Sequence, residues 1–274
     1  MPSTYAHYRF GLDVERCLPE EMQALTQQYR QLFQIGFHGP DLLFHYFVMK
    51  NNPVNHVGFA VHEETGRTFF GRCKEILEET PEFQPCAAGS DRAAAVAYLL
   101  GVTCHFALDS FSHPYVGEAI QKYGLTHNGI ESAYERALMV HDGLDPVTHH
   151  VADHIIATAK NAEVIAPFFP PATARQILTA LRFFVLDCNM LVPSNLPKVA
   201  LVDFTFRLSG QYREARGMMM NRHHEDIYVP TDRQLFRLYY EALEAAPEML
   251  CEMYDFLCGA GELDERFDRN FNGD

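Results

Sequence analysis

Apolar residues recur along this chain with a helical period and only in short stretches with a period of two. Residues 19–33 open on Pro-Glu-Glu, a favourable first helical turn, and the pattern runs on to Gly36. In the segment Gly36-Phe-His-Gly-Pro-Asp41, two glycines and Pro40 bias residues 38–41 away from helix. A short apolar stretch, 42–48, leads to a second loop at Asn51-Asn52-Pro53. Residues 62–79 read as helix through Phe69, Phe70, Cys73, Ile76 and Leu77. Ser90-Asp91 then caps a long helix to about Ser112 that is apolar on nearly every face, which places it at the centre of the molecule, and Pro114 ends it. Helices over 127–140, 145–166, 172–191, 198–208 and 233–257 complete the set. β-Branched alternation is sparse, so the fold class is all-α, a multi-helix bundle.

With 274 residues and 47% hydrophobic content the chain can bury a sizeable core. No linker, charge block, low-complexity stretch or repeat divides it, so a single domain over 1–274 is expected. A net charge of -14 repels phosphate backbones and argues against a nucleic-acid partner. It leaves open a phosphate-containing substrate, because bound divalent ions reverse the local field. Residues 1–13 lack the basic and apolar blocks of a secretory signal. No transmembrane anchor is expected, since the apolar run over 93–107 carries His105 and is followed by Asp109. The seven cysteines are scattered, odd in number and free of C-x-x-C, which points to reduced thiols and a cytoplasmic protein. No helix pairs a basic face with an aromatic one, as a lipid-interface helix would.

Residues four apart share a helix face, so H-x3-D or H-x3-E can aim two ligands at one ion. The chain has four such pairs, 105/109, 127/131, 141/145 and 149/153, where its 14 His and 36 Asp+Glu would yield about two by chance. Spacing alone therefore decides little, and the surroundings separate the four. His105, Asp109 and His113 follow one another at successive turns of the apolar helix. Burying a carboxylate there costs several kcal/mol unless a cation or strong donors compensate, as a metal ion or a hydrogen-bonded His/Asp network would. His127 and Glu131 open the next helix, fourteen residues past His113, and a hairpin of that length can bring them alongside. His141/Asp145 straddles a turn, and His149, His150, Asp153 and His154 read as a solvated face.

These pieces, in this order, resemble the zinc-dependent phospholipase C family, whose fold is shared with the P1-type zinc nucleases. The opening Pro2-Ser-Thr-Tyr-Ala-His7, the G-x-x-G-P-D segment ending at Asp41, His62, the block His105-x3-Asp109-x3-His113-Pro114 and His127-x3-Glu131 carry the resemblance, over residues 1 to about 140. It implies a phospholipase C/P1 nuclease-like bundle around two or three Zn2+ ions. One ion would be held by Asp41, His62, His105 and Asp109, a second by His113, His127 and Glu131, and a third by His7 with Asp109 bridging. Secreted members complete the third site with an N-terminal Trp, and this chain has no Trp. Its Asp109-to-His113 spacing is also shorter than theirs.

The function implied is hydrolysis of a phospholipid or other small phosphoester by a metal-activated water, with Asp41 as a ligand that also orients or deprotonates that water. A P1-type nuclease and a non-catalytic helical metal-binding or interaction protein are the alternatives. Residues 144–274 carry little readable chemistry and are expected to complete the bundle and shape access.

Overall fold

A 32-residue helix, Arg92–Tyr123, runs through the middle of the molecule, with every residue from Ala94 to Ser110 buried. The structure, a computed structural model, describes residues 4–48, 50–84, 91–208 and 212–274. Among these the chain is helical without a sheet, and Thr65 and Asn270 form an isolated bridge. The α-helices are α1 Thr4–Glu15, α2 Glu20–Gln28, α3 Arg30–Gly36, α4 Pro53–Glu63, α5 Gly66–Glu79, α6 Arg92–Tyr123, α7 His127–His141, α8 Ala159–Ile165, α9 Ala174–Leu191, α10 Leu196–Leu208, α11 Tyr212–Gly217 and α12 Val229–Leu257.

α6 is the packing axis, with α12 and α3 as its main neighbours. The α3 crossing is made possible by two glycines. A Cβ on Gly36 would lie 2.3 Å from the Tyr98 carbonyl oxygen, and one on Gly101 would lie 2.1 Å from that of Phe33. The backbones therefore meet directly, which only residues without a side chain permit. This contact sets the end of α3 against the turn of α6 that precedes His105.

Several local expectations are corrected. The 19–36 pattern breaks into α2 and α3 at Tyr29, whose ψ of 36 leaves the helical range. Residues Gly39–His45, expected partly as loop, form a 3-10 helix in which Pro40 occupies the first turn, where a missing N–H costs nothing. The helix expected over 62–79 begins at Gly66, and His62 belongs to the end of α4, which Asn52 caps by accepting from Val54 and Asn55 N–H. Pro114 does not end α6, which continues to Tyr123 and closes on Gly124 in the left-handed region (φ 66). The C-terminal tail packs on this proline turn, so tightly that a Cβ on Gly273 would sit 2.6 Å from the Ser110 carbonyl. The helix expected over 145–166 is reduced to α8, because residues 145–158 fold as turns and Thr158 supplies the cap. Asp91 makes no side-chain cap bond, and Ser90 lies outside the described residues.

α6 is also long and apolar enough to cross a membrane, which departs from the reading of the 93–107 run, but 94% of its apolar window is buried inside the protein. The bent pair α9–α10 passes the same test of length and composition.

Candidate metal centre

Five elements converge on the side chains of α6. α1 brings His7, the Gly39–His45 turn brings Asp41, α4 brings His62, α6 carries His105, Asp109 and His113, and α7 carries His127 and Glu131. Gly39 makes the first convergence possible: its φ is +43, and a Cβ there would lie 2.6 Å from the His105 ring. The backbone thus lies flat on the imidazole and delivers Asp41 two residues later.

The distances form a continuous chain of acid and imidazole. His62 Nε2 is 3.1 Å from Asp41 Oδ1. His105 Nε2 is 3.1 Å from Asp109 Oδ2, and His7 Nε2 is 3.2 Å from Asp109 Oδ1. His113 Nε2 is 3.6 Å from Asp109 Oδ1 and 3.4 Å from Glu131 Oε1, which is 2.9 Å from His127 Nε2. Three groups result whose ligand atoms lie within 4.8 Å of one another: His7/His105/Asp109, Asp41/His62/His105 and His113/His127/Glu131. All eight residues singled out in the sequence are brought together, and His105 and Asp109 stand where the groups meet.

The tautomers of three histidines are set from behind. His62 Nδ1 donates to the Gly58 carbonyl at 2.7 Å, His105 Nδ1 to that of Phe37 at 3.2 Å, and His113 Nδ1 to that of Phe271 at 3.0 Å. A backbone carbonyl can only accept, so each Nδ1 carries hydrogen, and each Nε2 presents a lone pair whenever its ring is neutral. Those lone pairs face carboxylate oxygens that are also acceptors. Two facing acceptors at 3.1 Å repel unless a proton or a cation lies between or beside them. His105 Nε2 is buried with no hydrogen-bond partner, as is His7 Nδ1. Donor set, tautomers and orphaned nitrogens together fit divalent ions with nitrogen and oxygen ligands.

Electrostatics agrees. Burial alone would raise the Asp109 carboxyl, but His105, His113 and His7 hold it well below the usual carboxylate range. Burial likewise opposes ionisation of Asp41, yet its carboxyl lies below the usual range, with His62 and His105 among the groups that lower it. Burial depresses His113, yet Asp109 and Glu131 outweigh it and lift the imidazole to about 9. Glu131 is kept ionised against its burial by His127 and His113. The site is a concentration of negative charge that demands cations.

A cavity lined by His7, Asp109, Ser112, His113, Glu131 and Tyr134 touches both the deep and outer groups. Tyr134 lines it, and the hydroxyl of that residue is buried without a hydrogen-bond partner. Sequence reasoning missed Tyr134, and it missed the carbonyls of Phe37, Gly58 and Phe271, which no residue identity reveals. It also misplaced His154. Instead of a solvated face, His154 stacks on Tyr8 with ring centroids 4.0 Å apart and meets His38 Nε2 to Nε2 at 2.7 Å. Burial lowers His154 to about 3, so that pair is neutral. The remaining spaced pairs stay apart from the centre: exposed His141 bonds Asp142, and His150 faces Asp153 at 3.7 Å in solvent.

A family model described as "Zinc dependent phospholipase C" matches residues 7–180. The match starts at His7, includes all eight clustered residues and extends past the 1–140 region on which the resemblance rests. The chain belongs to the zinc-dependent phospholipase C family, and with its His/Asp/Glu clusters it is a metal-dependent phosphoester hydrolase of that type. No curated protein and no solved structure matches the chain.

Proposed function

We propose that His7, Asp41, His62, His105, Asp109, His113, His127 and Glu131 hold two or three zinc ions, and that the centre hydrolyses a phospholipid or another small phosphoester. One observation carries this reading: imidazole Nε2 atoms, each with Nδ1 already committed to a backbone carbonyl, and carboxylates face each other at three points. Neutral imidazole and carboxylate suit zinc, and the open side at the cavity suits a catalytic rather than a closed structural site. Bound ions would supply an activated water and a clamp on the phosphate oxygens.

The protein's own residues do the rest. Asp41 would hold an ion and orient the water bound to it, since its carboxylate faces His62 Nε2 at 3.1 Å beside His105. The carbonyls behind His62, His105 and His113 keep the rings in their ligating tautomer. The net charge of -14 favours a small phosphoester over the polyanionic substrate of a nuclease. The unpaired thiols of Cys17, Cys73, Cys104, Cys188, Cys251 and Cys258 support a reducing, cytoplasmic location.

Elemental analysis of the purified protein, beside a panel of choline phospholipid, nucleotide and single-stranded DNA, tests the reading. Two or three zinc ions per chain and hydrolysis of the phospholipid are expected, and Asp109→Ala should lose both. A folded protein that neither contains nor takes up zinc would overturn it.

A further inference from the structure

Away from the metal centre, one face of α10 has no partner among the described residues. Leu196, Ala200, Phe204 and Leu208 follow each other at four-residue intervals and Leu201 lies beside them, so they form a stripe along the helix. Leu196, Leu201, Phe204 and Leu208 are 69, 61, 57 and 72% exposed, whereas Val202, on the opposite face, is buried. Exposed apolar residues scattered singly need no explanation, but four large ones on one face of a short helix do. Before the bend of 118°, the end of α9 also exposes Leu186 and Met190.

Charge indicates what covers it. The chain as a whole carries -14, yet residues 194–222 hold five basic residues, Lys198, Arg207, Arg213, Arg216 and Arg222, against Asp203 and Glu214. Asp203 is the acid within α10 and it is paired: Arg207 Nε donates to it at 2.8 Å and the Tyr212 hydroxyl at 2.6 Å. An apolar stripe within a net-basic segment of an otherwise anionic protein complements an anionic lipid surface. A second copy of the chain would set like charge against like charge.

The same segment leads to the metal centre. α11 packs on α7, and Arg213 and Arg216 line a pocket with Thr126, Gly129 and Ser132, which flank His127 and Glu131 on α7. We propose that the exposed face of α10 seats the protein on anionic phospholipid membranes, with the arginine-lined pocket turned toward the headgroups. This part of the chain lies beyond the family-matched residues 7–180. No single helix announces it in the sequence because only two of the five cations, Lys198 and Arg207, lie on α10, the others coming from α11 and the residues after it. The purpose of the surface rests on the phospholipase reading, but the binding itself needs no turnover.

The test is sedimentation of the full chain with vesicles of phosphatidylcholine mixed with phosphatidylserine, and of phosphatidylcholine alone. The wild type should bind the mixed vesicles more strongly and release them as salt rises. Leu201→Gln/Phe204→Gln/Leu208→Gln should weaken that binding at least about tenfold, and Phe204→Gln alone should weaken it less, because interfacial affinity scales with the apolar area inserted. Hydrolysis of a short-chain, monomeric phosphoester should be unchanged in both variants. Absence of vesicle binding by the wild type, or equal binding by the triple variant, would overturn the proposal even if soluble phosphoesters are hydrolysed. A wild-type dimer that the triple substitution converts to monomer would assign the stripe to a second copy and overturn it as well. Binding that depends on α10, in a protein that hydrolyses no phosphoester, would uphold the surface while removing the hydrolase reading.

Discussion

The deep half of the metal centre, His7, Asp41, His62, His105 and Asp109, is sealed inside the protein, whereas the outer half, His113, His127 and Glu131, opens to solvent at His127. The His105 side chain has no exposure and that of His127 has 40%. The deep half is assembled from four separate elements, α1, the Gly39–His45 turn, α4 and α6. The outer half comes from two sequence neighbours, α6 and α7, joined by a short turn. Loss of a deep ligand leaves buried charge uncompensated, while loss of an outer one leaves a gap that water fills. The two halves therefore combine metal binding with folding to different degrees.

The largest expected effect separates them directly. His105→Ala removes a ligand shared by two groups and the ring on which Gly39, His7 and Phe271 pack. It should destabilise the zinc-loaded protein by about 3–5 kcal/mol, the scale of an uncompensated buried charge, and lower the zinc content by more than one ion. His127→Ala should cost about 1 kcal/mol or less and a single ion, as is usual for a part-exposed side chain. Denaturant titration and elemental analysis read both, and equal losses from the two substitutions would dissolve the distinction between the halves.

A smaller effect is expected at the cavity that joins them. Tyr134→Phe should leave zinc content unchanged, and stability should hold or rise, because a buried hydroxyl without a partner is removed. A clear loss of stability in a thermal melt would show that the hydroxyl has a partner in the folded protein.

A pH-dependent effect concerns two glutamates one turn apart on α7. Glu131, between His113 and His127, is ionised; Glu135, beside the backbone N–H of Tyr5, is pushed up to about 8 by burial. A raised carboxyl stabilises the fold fully below the ordinary value near 4.5, and that contribution is lost as pH rises toward about 8. Glu135→Gln, a neutral stand-in for the protonated acid, should flatten the fall in thermal stability across that window. A fall of the same steepness in variant and wild type would contradict the assignment.

Much of the centre is legible in the amino-acid sequence. Asp109 on an apolar helix is a buried charge wherever that helix packs, and His105 and His113 one turn away on either side share its face by geometry alone. His7 and His62 carry no local signal; only the ordered resemblance singles them out, and the fold brings both to the carboxylates. His154 shows the reverse failure. It sits among His149, His150 and Asp153, which read as solvated, yet the turn that replaces the expected helix folds it against Tyr8 and His38. Pro114 reads as a helix stop on its local cost, which neighbouring packing and the tail at Gly273 override.

By itself, then, the chain's pattern determined an all-α fold, a central α6 and the ligand types at helical spacing, because periodicity and burial cost are local properties of sequence. Tertiary structure alone decided which Nε2 atoms face which oxygens. That depends on the glycine-to-glycine crossing of α3 and α6 and on the carbonyls of Phe37, Gly58 and Phe271, and every residue carries a carbonyl whose partner is chosen only when distant segments meet. It also decided that the apolar side chains of α10 remain in water beside basic residues, since whether an apolar face is covered depends on what packs there and not on the face itself.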